Sequence, residues 1–92
     1  MSCEYIFKEF AIPEYMTGGL EMYLNHGLEP GSFLMAVLCN DFVGACAHAD
    51  DTNLRNLPAY AAYLYNFAPT NSWGSEGKVN EWMRAKRSGV EN

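Results

Sequence analysis

The chain is short of basic residues. Six lysines and arginines stand against eleven aspartates and glutamates in 92 residues, a formal net charge of −5. Binding along a phosphate backbone needs clustered positive charge, so a long nucleic acid is not an expected partner. No apolar run approaches the roughly 18 residues of a membrane-spanning helix, and no membrane association is expected. The opening stretch MSCEYIFKEFAI carries Glu4 and Glu9 and no basic flank ahead of its apolar residues, unlike a secretory leader. The expectation is a protein that acts in the cytoplasm. Cysteine is also scarce. Cys3, Cys39 and Cys46 are odd in number and form no C-x-x-C pair, so reduced thiols are expected rather than a disulfide framework.

Motifs for metals and phosphates are missing too. There is no H-E-x-x-H. Asp50–Asp51 is followed by neither the glycine nor the closing glutamate of a calcium loop. Gly18–Gly19 lacks the Lys-Ser/Thr of a phosphate loop. No cofactor and no metal is therefore expected, and an enzyme is the less favoured reading.

What the chain does have is apolar and aromatic bulk. Hydrophobic residues make up 49% and aromatic residues 14%, enough for a core and contrary to the composition of a disordered chain. The length suits one domain. Residues 13–26 open with Pro13 and Glu14 and place Met16, Leu20, Tyr23 and Leu24 on one stripe, with Gly27 as the stop. Gly18–Gly19 inside that stripe allows close helix packing, a bend or a ligand near the backbone, with close packing the simplest of the three. Ser32 is the expected cap of a helix over 32–40 with Phe33, Leu34, Val37 and Leu38 inward. Asn40–Asp41 then starts FVGACAHA, with Phe42, Ala45, Cys46 and Ala49 inward. A helix over 57–67 buries Leu57, Ala61 and Leu64. One over 75–87, capped by Ser75, buries Val79, Trp82 and Met83. The expected fold is all-α: a compact single domain of four or five short helices over 13–88, an extended N-terminal arm over 1–12 and a flexible tail at 89–92.

The stretch CAHADDTN puts a thiol, an imidazole and two carboxylates close together. Residues two apart on a helix diverge, so Cys46, His48 and Asp50 make a poor catalytic set, and Cys39 with His26 is no better supported. His48, Asp50 and Asp51, with His26 or Glu21, are the residues a metal would need. The simpler reading is a helix junction. Cys46 is then buried, His48 lies near the surface, and Asp50, Asp51 and Asn53 satisfy backbone donors. The remaining signal is aromatic. Tyr and Trp bury large area and keep a polar handle, which suits interfaces. Tyr15, Tyr23, Tyr60, Tyr63, Tyr65 and Trp73, with Arg55 and His48, are the binding candidates. The aromatic excess and the apolar arm also favour a homodimer or larger assembly. A second mode stacks these rings on a nucleotide, with Arg55 or the RAKR run at 84–87 on its phosphates.

Three segments, IPEYMTGGLEMYLNHGLEPGSFLMAVLCNDF, ADDTNLRNLPAYAAYLYN and APTNSWGSEGKVNEWM, together resemble a family of small proteins encoded by bacteriophages and prophages. The resemblance spans roughly residues 12–83. It implies an accessory protein in the host cell cytoplasm that occupies or inhibits a host protein, in the manner of proteins that neutralise host defence. It carries over no catalytic residue. The alternatives are a nucleotide-binding module that captures a signal without turnover and a small metal-dependent enzyme around His48.

Overall fold

A computed structural model describes residues 5–88. Cys3 and the tail expected at 89–92 lie outside the described residues. The chain is mainly helical, as expected, with six helices among the described residues rather than four or five. These are α1 (Glu14–His26), α2 (Ser32–Leu38), α3 (Phe42–His48), α4 (Asp51–Arg55), α5 (Leu57–Asn66) and α6 (Glu76–Arg87). None of them is long and apolar enough to cross a membrane.

The expected extended arm is a hairpin instead. Strand β1 (Tyr5–Phe7) pairs antiparallel with β2 (Phe10–Ile12), in the register Tyr5 with Ile12 and Phe7 with Phe10. The reversal occupies only Lys8 and Glu9, and Lys8 takes φ 56° to make it. Turn-forming Asn-Gly or Asp-Gly is absent there, so the sequence gives no hairpin signal. The helices supply what two short strands lack. Tyr5 stacks edge-on against Tyr63 at 5.4 Å and against Phe67 at 5.6 Å, and the Ala11 N–H donates to Asn56 Oδ1 at 2.9 Å. An isolated two-stranded hairpin is marginal in water, so its packing on α5 is what holds it.

Helix boundaries follow local chemistry. Pro13 takes the N-cap position of α1 rather than its first turn, and Gly27 ends the helix at φ 69°. α1 runs unbroken through its two glycines. Gly19 lies against Leu34 of α2, where an added Cβ would meet Leu34 Cδ1 at 3.7 Å, while Gly18 faces open space. A Cβ would fit at either position, so close packing demands neither glycine. α2 is capped by Gly31 with no side-chain hydrogen bond, and Ser32 is its first residue rather than its cap. Asn40 exits α2 in the left-handed region at φ 64°, a conformation that asparagine tolerates. Asp41 then caps α3, accepting from the Gly44 N–H at 3.0 Å. Ser75 caps α6, accepting from the Lys78 N–H at 3.2 Å.

The core joins Ile12 of the hairpin to Leu20 and Tyr23 of α1, Leu34 and Leu38 of α2, Tyr60 and Leu64 of α5, and Val79 and Met83 of α6. Tyr23 and Tyr60 are candidates for surface binding by residue type, but both lie inside, at 0% and 1% exposure. Burial is tolerated because each hydroxyl has a partner. Tyr23 donates to the Ser72 carbonyl and Tyr60 to Asn53 Oδ1, both at 2.6 Å. Desolvation by burial raises the pKa of each phenol, so both remain neutral donors. Two other inward assignments are corrected. Phe42 is 72% exposed, because it is the first residue of α3 and precedes the turn that packs on α2. Ala61 is exposed, because α5 turns Ala59, Tyr60, Ala62 and Leu64 inward.

The C-terminus of α1 packs closely on α6. A Cβ on Gly27 would fall 2.7 Å from Lys86 Cβ and 2.8 Å from the Met83 carbonyl oxygen of α6, on a backbone already at φ 69°. Gly27→Ala is expected to destabilise the fold by more than ~1 kcal/mol in urea denaturation, since the left-handed conformation alone costs about that much for a residue with a Cβ. Gly18→Ala meets nothing and is expected to stabilise α1 by about 0.5–1 kcal/mol. Equal effects at the two positions would contradict this packing.

Candidate functional site

α5 takes its main packing from the hairpin and from α4, whereas α3 takes its own from α2. The two helices are thereby left as facing walls with an open groove of about 750 Å³ between them. Phe42 and Ala45 line the α3 side, and Pro58, Ala61 and Tyr65 the α5 side. Pro58, Ala61 and Tyr65 are three and four residues apart, so they form one stripe along α5. Phe7 from β1 and Trp73 from the loop before α6 complete the wall, and Tyr60 and Leu64 reach it from the core. Small side chains at Ala45 and Ala61 keep the space open. Tyr65, 80% exposed, and Phe42 stand free beside it. Asp41 is the one charged side chain of the lining, and no lysine or arginine contributes.

A second pocket, of about 520 Å³, also borders Asp41. Its other polar side chains are Ser32 and Cys39 from α2 and the residue after it, His48 at the end of α3, and Glu76 at the start of α6. The pocket brings a thiol, an imidazole and two carboxylates into one space from three helices, a grouping that linear spacing does not reveal. Its chemistry is not that of an activated cysteine. Burial raises the Cys39 pKa, and the Glu76 and Asp41 carboxylates raise it further, so the thiol stays protonated and weakly nucleophilic. Among the described residues, no group of three or more His, Cys, Asp and Glu side chains is placed to hold a metal ion.

CAHADDTN forms the junction between α3 and α4. Asp50 is the N-cap of α4, accepting from the Asn53 N–H at 2.7 Å, and its second oxygen accepts from the Tyr15 hydroxyl at 2.7 Å. Asn53 is buried and serves the Tyr60 hydroxyl rather than a backbone donor. Cys46 is half-buried, less than expected from its place among small residues, and His48 is exposed.

The sequence-derived candidates therefore divide. Tyr60, Tyr65 and Trp73 meet at the groove, and His48 lines the acidic pocket. Tyr63 is half-buried under Tyr5 in support of the hairpin, Tyr23 is internal, and Tyr15 is engaged with Asp50. Arg55, exposed in the last turn of α4, lines neither space. Sequence reasoning missed Phe42, Ala45, Pro58 and Ala61, and the pairing of Asp41 with Glu76. The second apolar stripe of α5 was the available signal for half of them. The Trp73 indole N–H is buried without a hydrogen-bond partner among the described residues, an arrangement that costs stability and is uncommon in folded proteins.

The chain matches no family model, no curated protein and no solved structure.

The Asp50 bridge gives the protein a defined response to acid. The Asn53 backbone N–H, and then the Tyr15 hydroxyl, hold the Asp50 carboxyl below its ordinary value of 3.8. A carboxyl depressed in the folded state contributes stability that is fully present above the unfolded value and is lost as pH falls through the folded one. Melting temperature is therefore expected to drop below pH 3.8. The drop should be shallower in Asp50→Asn, which keeps a capping oxygen but cannot be protonated in that range. Parallel melting curves for the two proteins would show that this carboxylate is not linked to folding.

Proposed function

We propose that the protein acts by binding another protein, as an accessory protein of phage type that occupies or inhibits a host protein in the host cytoplasm. The observation that carries this reading is the groove between α3 and α5, an apolar concavity flanked by the exposed Phe42 and Tyr65 rings. Concave apolar sites with a few placed polar groups are the usual form of a binding site, and exposed aromatics beside them supply anchor area. The rival reading, capture of a nucleotide, gains little from this site, because the lining offers aromatic faces but no cation for a phosphate.

Retention of a host protein on the immobilised chain, read by mass spectrometry, tests the proposal. Ala61→Glu and Phe42→Asp both alter exposed positions at the groove and should leave the fold intact by circular dichroism. The expected outcome is a host protein enriched by the natural chain and lost from both variants. Enrichment that survives both substitutions would move the binding surface elsewhere. Tight binding of a nucleotide, with no protein enriched, would reverse the ranking.

A further inference from the structure

Asp41 lines both the apolar groove and the pocket that holds Glu76, so the two spaces share a carboxylate wall. Both carboxylates lack a cationic partner: the one ion pair found among the described residues joins Arg84 and Glu81 on the far part of α6. Asp41 uses an oxygen to cap α3, which fixes its position without neutralising it. The groove runs along the whole of α5, from Leu57 to Asn66, a reach of about 15 Å at the rise of an α-helix. Its lining combines Ala45, Ala61 and Ala62 with aromatic rings, so the space suits bulky apolar side chains entering from outside.

Resting on the protein-binding reading above, we infer that the groove receives an amphipathic helix of about three turns, whose apolar stripe lies between α3 and α5 and whose terminal lysine or arginine reaches the Asp41–Glu76 pocket. Helix-in-groove recognition places side chains at i, i+3, i+4 and i+7 against such a concavity. The charge of the site selects the flank. A glutamate at that end of the ligand would meet two carboxylates, with the His48 imidazole beside them and no lysine or arginine, whereas a lysine or arginine meets opposite charge. A second copy of this chain fits less well. Its own basic run lies on α6, whose apolar face, Val79, Trp82 and Met83, is already committed to the core.

The test uses the full chain and three synthetic peptides of about twelve residues. The first has a Leu/Phe stripe at helical spacing and a terminal Arg-Lys pair. The second replaces that pair with Glu-Glu. The third keeps the composition of the first but scrambles the stripe. Binding is read from Trp73 emission in a Trp82→Phe background and checked by calorimetry on the natural chain. The first peptide is expected to bind about fivefold more tightly than the second, as for partly exposed charge pairs, and the scrambled one not measurably. The fivefold preference should shrink as salt rises. It should vanish in the Asp41→Asn/Glu76→Gln double variant, in which the carboxamide replacing the Asp41 carboxylate still offers a cap oxygen to the Gly44 N–H. Ala61→Glu should abolish binding of the first two.

Equal affinity for both charged forms overturns the role of the acidic pocket. Failure of all three peptides, alongside a host protein still retained in an Ala61-dependent way, overturns the helical occupant and leaves the groove reading standing. Failure of both experiments removes the groove reading itself. A concentration-dependent dimer seen in light scattering, abolished by Ala61→Glu, would assign the groove to a second copy and overturn this inference.

Discussion

Inside the protein, the Tyr60 hydroxyl donates to Asn53 Oδ1 at 2.6 Å, and the position of α5 depends on that bond. Asn53 is 4% exposed and Tyr60 1%, so neither group has water as an alternative. Removing either partner would leave a buried polar atom unsatisfied, at a cost of about 1–3 kcal/mol. The bond joins α4 to α5 across a tight elbow at Asn56, and Asn56 itself accepts the Ala11 N–H from the hairpin while donating to the Thr52 carbonyl. Three elements are thus fixed at one corner. α5 leans on the hairpin and on α4 instead of closing against α3, and the groove is the space that this leaves.

A second node sets the opposite side. Tyr23 donates its hydroxyl to the Ser72 carbonyl, and its own carbonyl accepts both the Gly27 N–H and the Trp82 indole N–H. α1, the loop before α6 and α6 itself meet at that residue. The Gly74 N–H donates to the Leu38 carbonyl at 2.7 Å, which ties the same loop to the end of α2. Trp73 and Glu76 therefore occupy places defined by long-range hydrogen bonds rather than by a flexible connection. One lines the groove and the other the acidic pocket, so both halves of the site inherit their geometry from the Tyr23 node.

The helical periods of α1, α2 and α6 were legible because one strong stripe faces one core. Met16, Leu20, Tyr23 and Leu24, or Val79, Trp82 and Met83, leave no competing assignment. α5 was harder. LPAYAAYLYN is apolar almost all round, so periodicity alone does not say which stripe faces in. The structure buries Ala59, Tyr60, Ala62 and Leu64 and leaves Pro58, Ala61 and Tyr65 to the groove. The hairpin was illegible for a different reason: its turn depends on Lys8 in a left-handed conformation, which the residue type disfavours and which packing on α5 enforces. The candidate site was half legible. Aromatic excess pointed to Tyr65 and Trp73, but the Asp41–Glu76 pair spans 35 positions between α3 and α6 and no local pattern encodes it.

The groove also bears on how much stability so small a chain can give up. A domain of this size buries a modest share of its surface, and net stability is a small difference between large terms. Fully burying a Phe side chain contributes roughly 1.5–3 kcal/mol. The protein nevertheless leaves Phe42 at 72% and Tyr65 at 80% exposure, beside walls lined with alanine where larger side chains would fill the space. Scattered exposed apolar residues need no explanation, but these two rings line one and the same apolar concavity. A ligand that fills the space buries those rings and the alanine walls together. Because it binds only the folded chain, it stabilises the fold by mass action. On the proposed binding reading, the same residues that weaken the free protein would supply the affinity, and the hydrogen-bonded corners at Asn53 and Tyr23 would hold the groove open in the free chain.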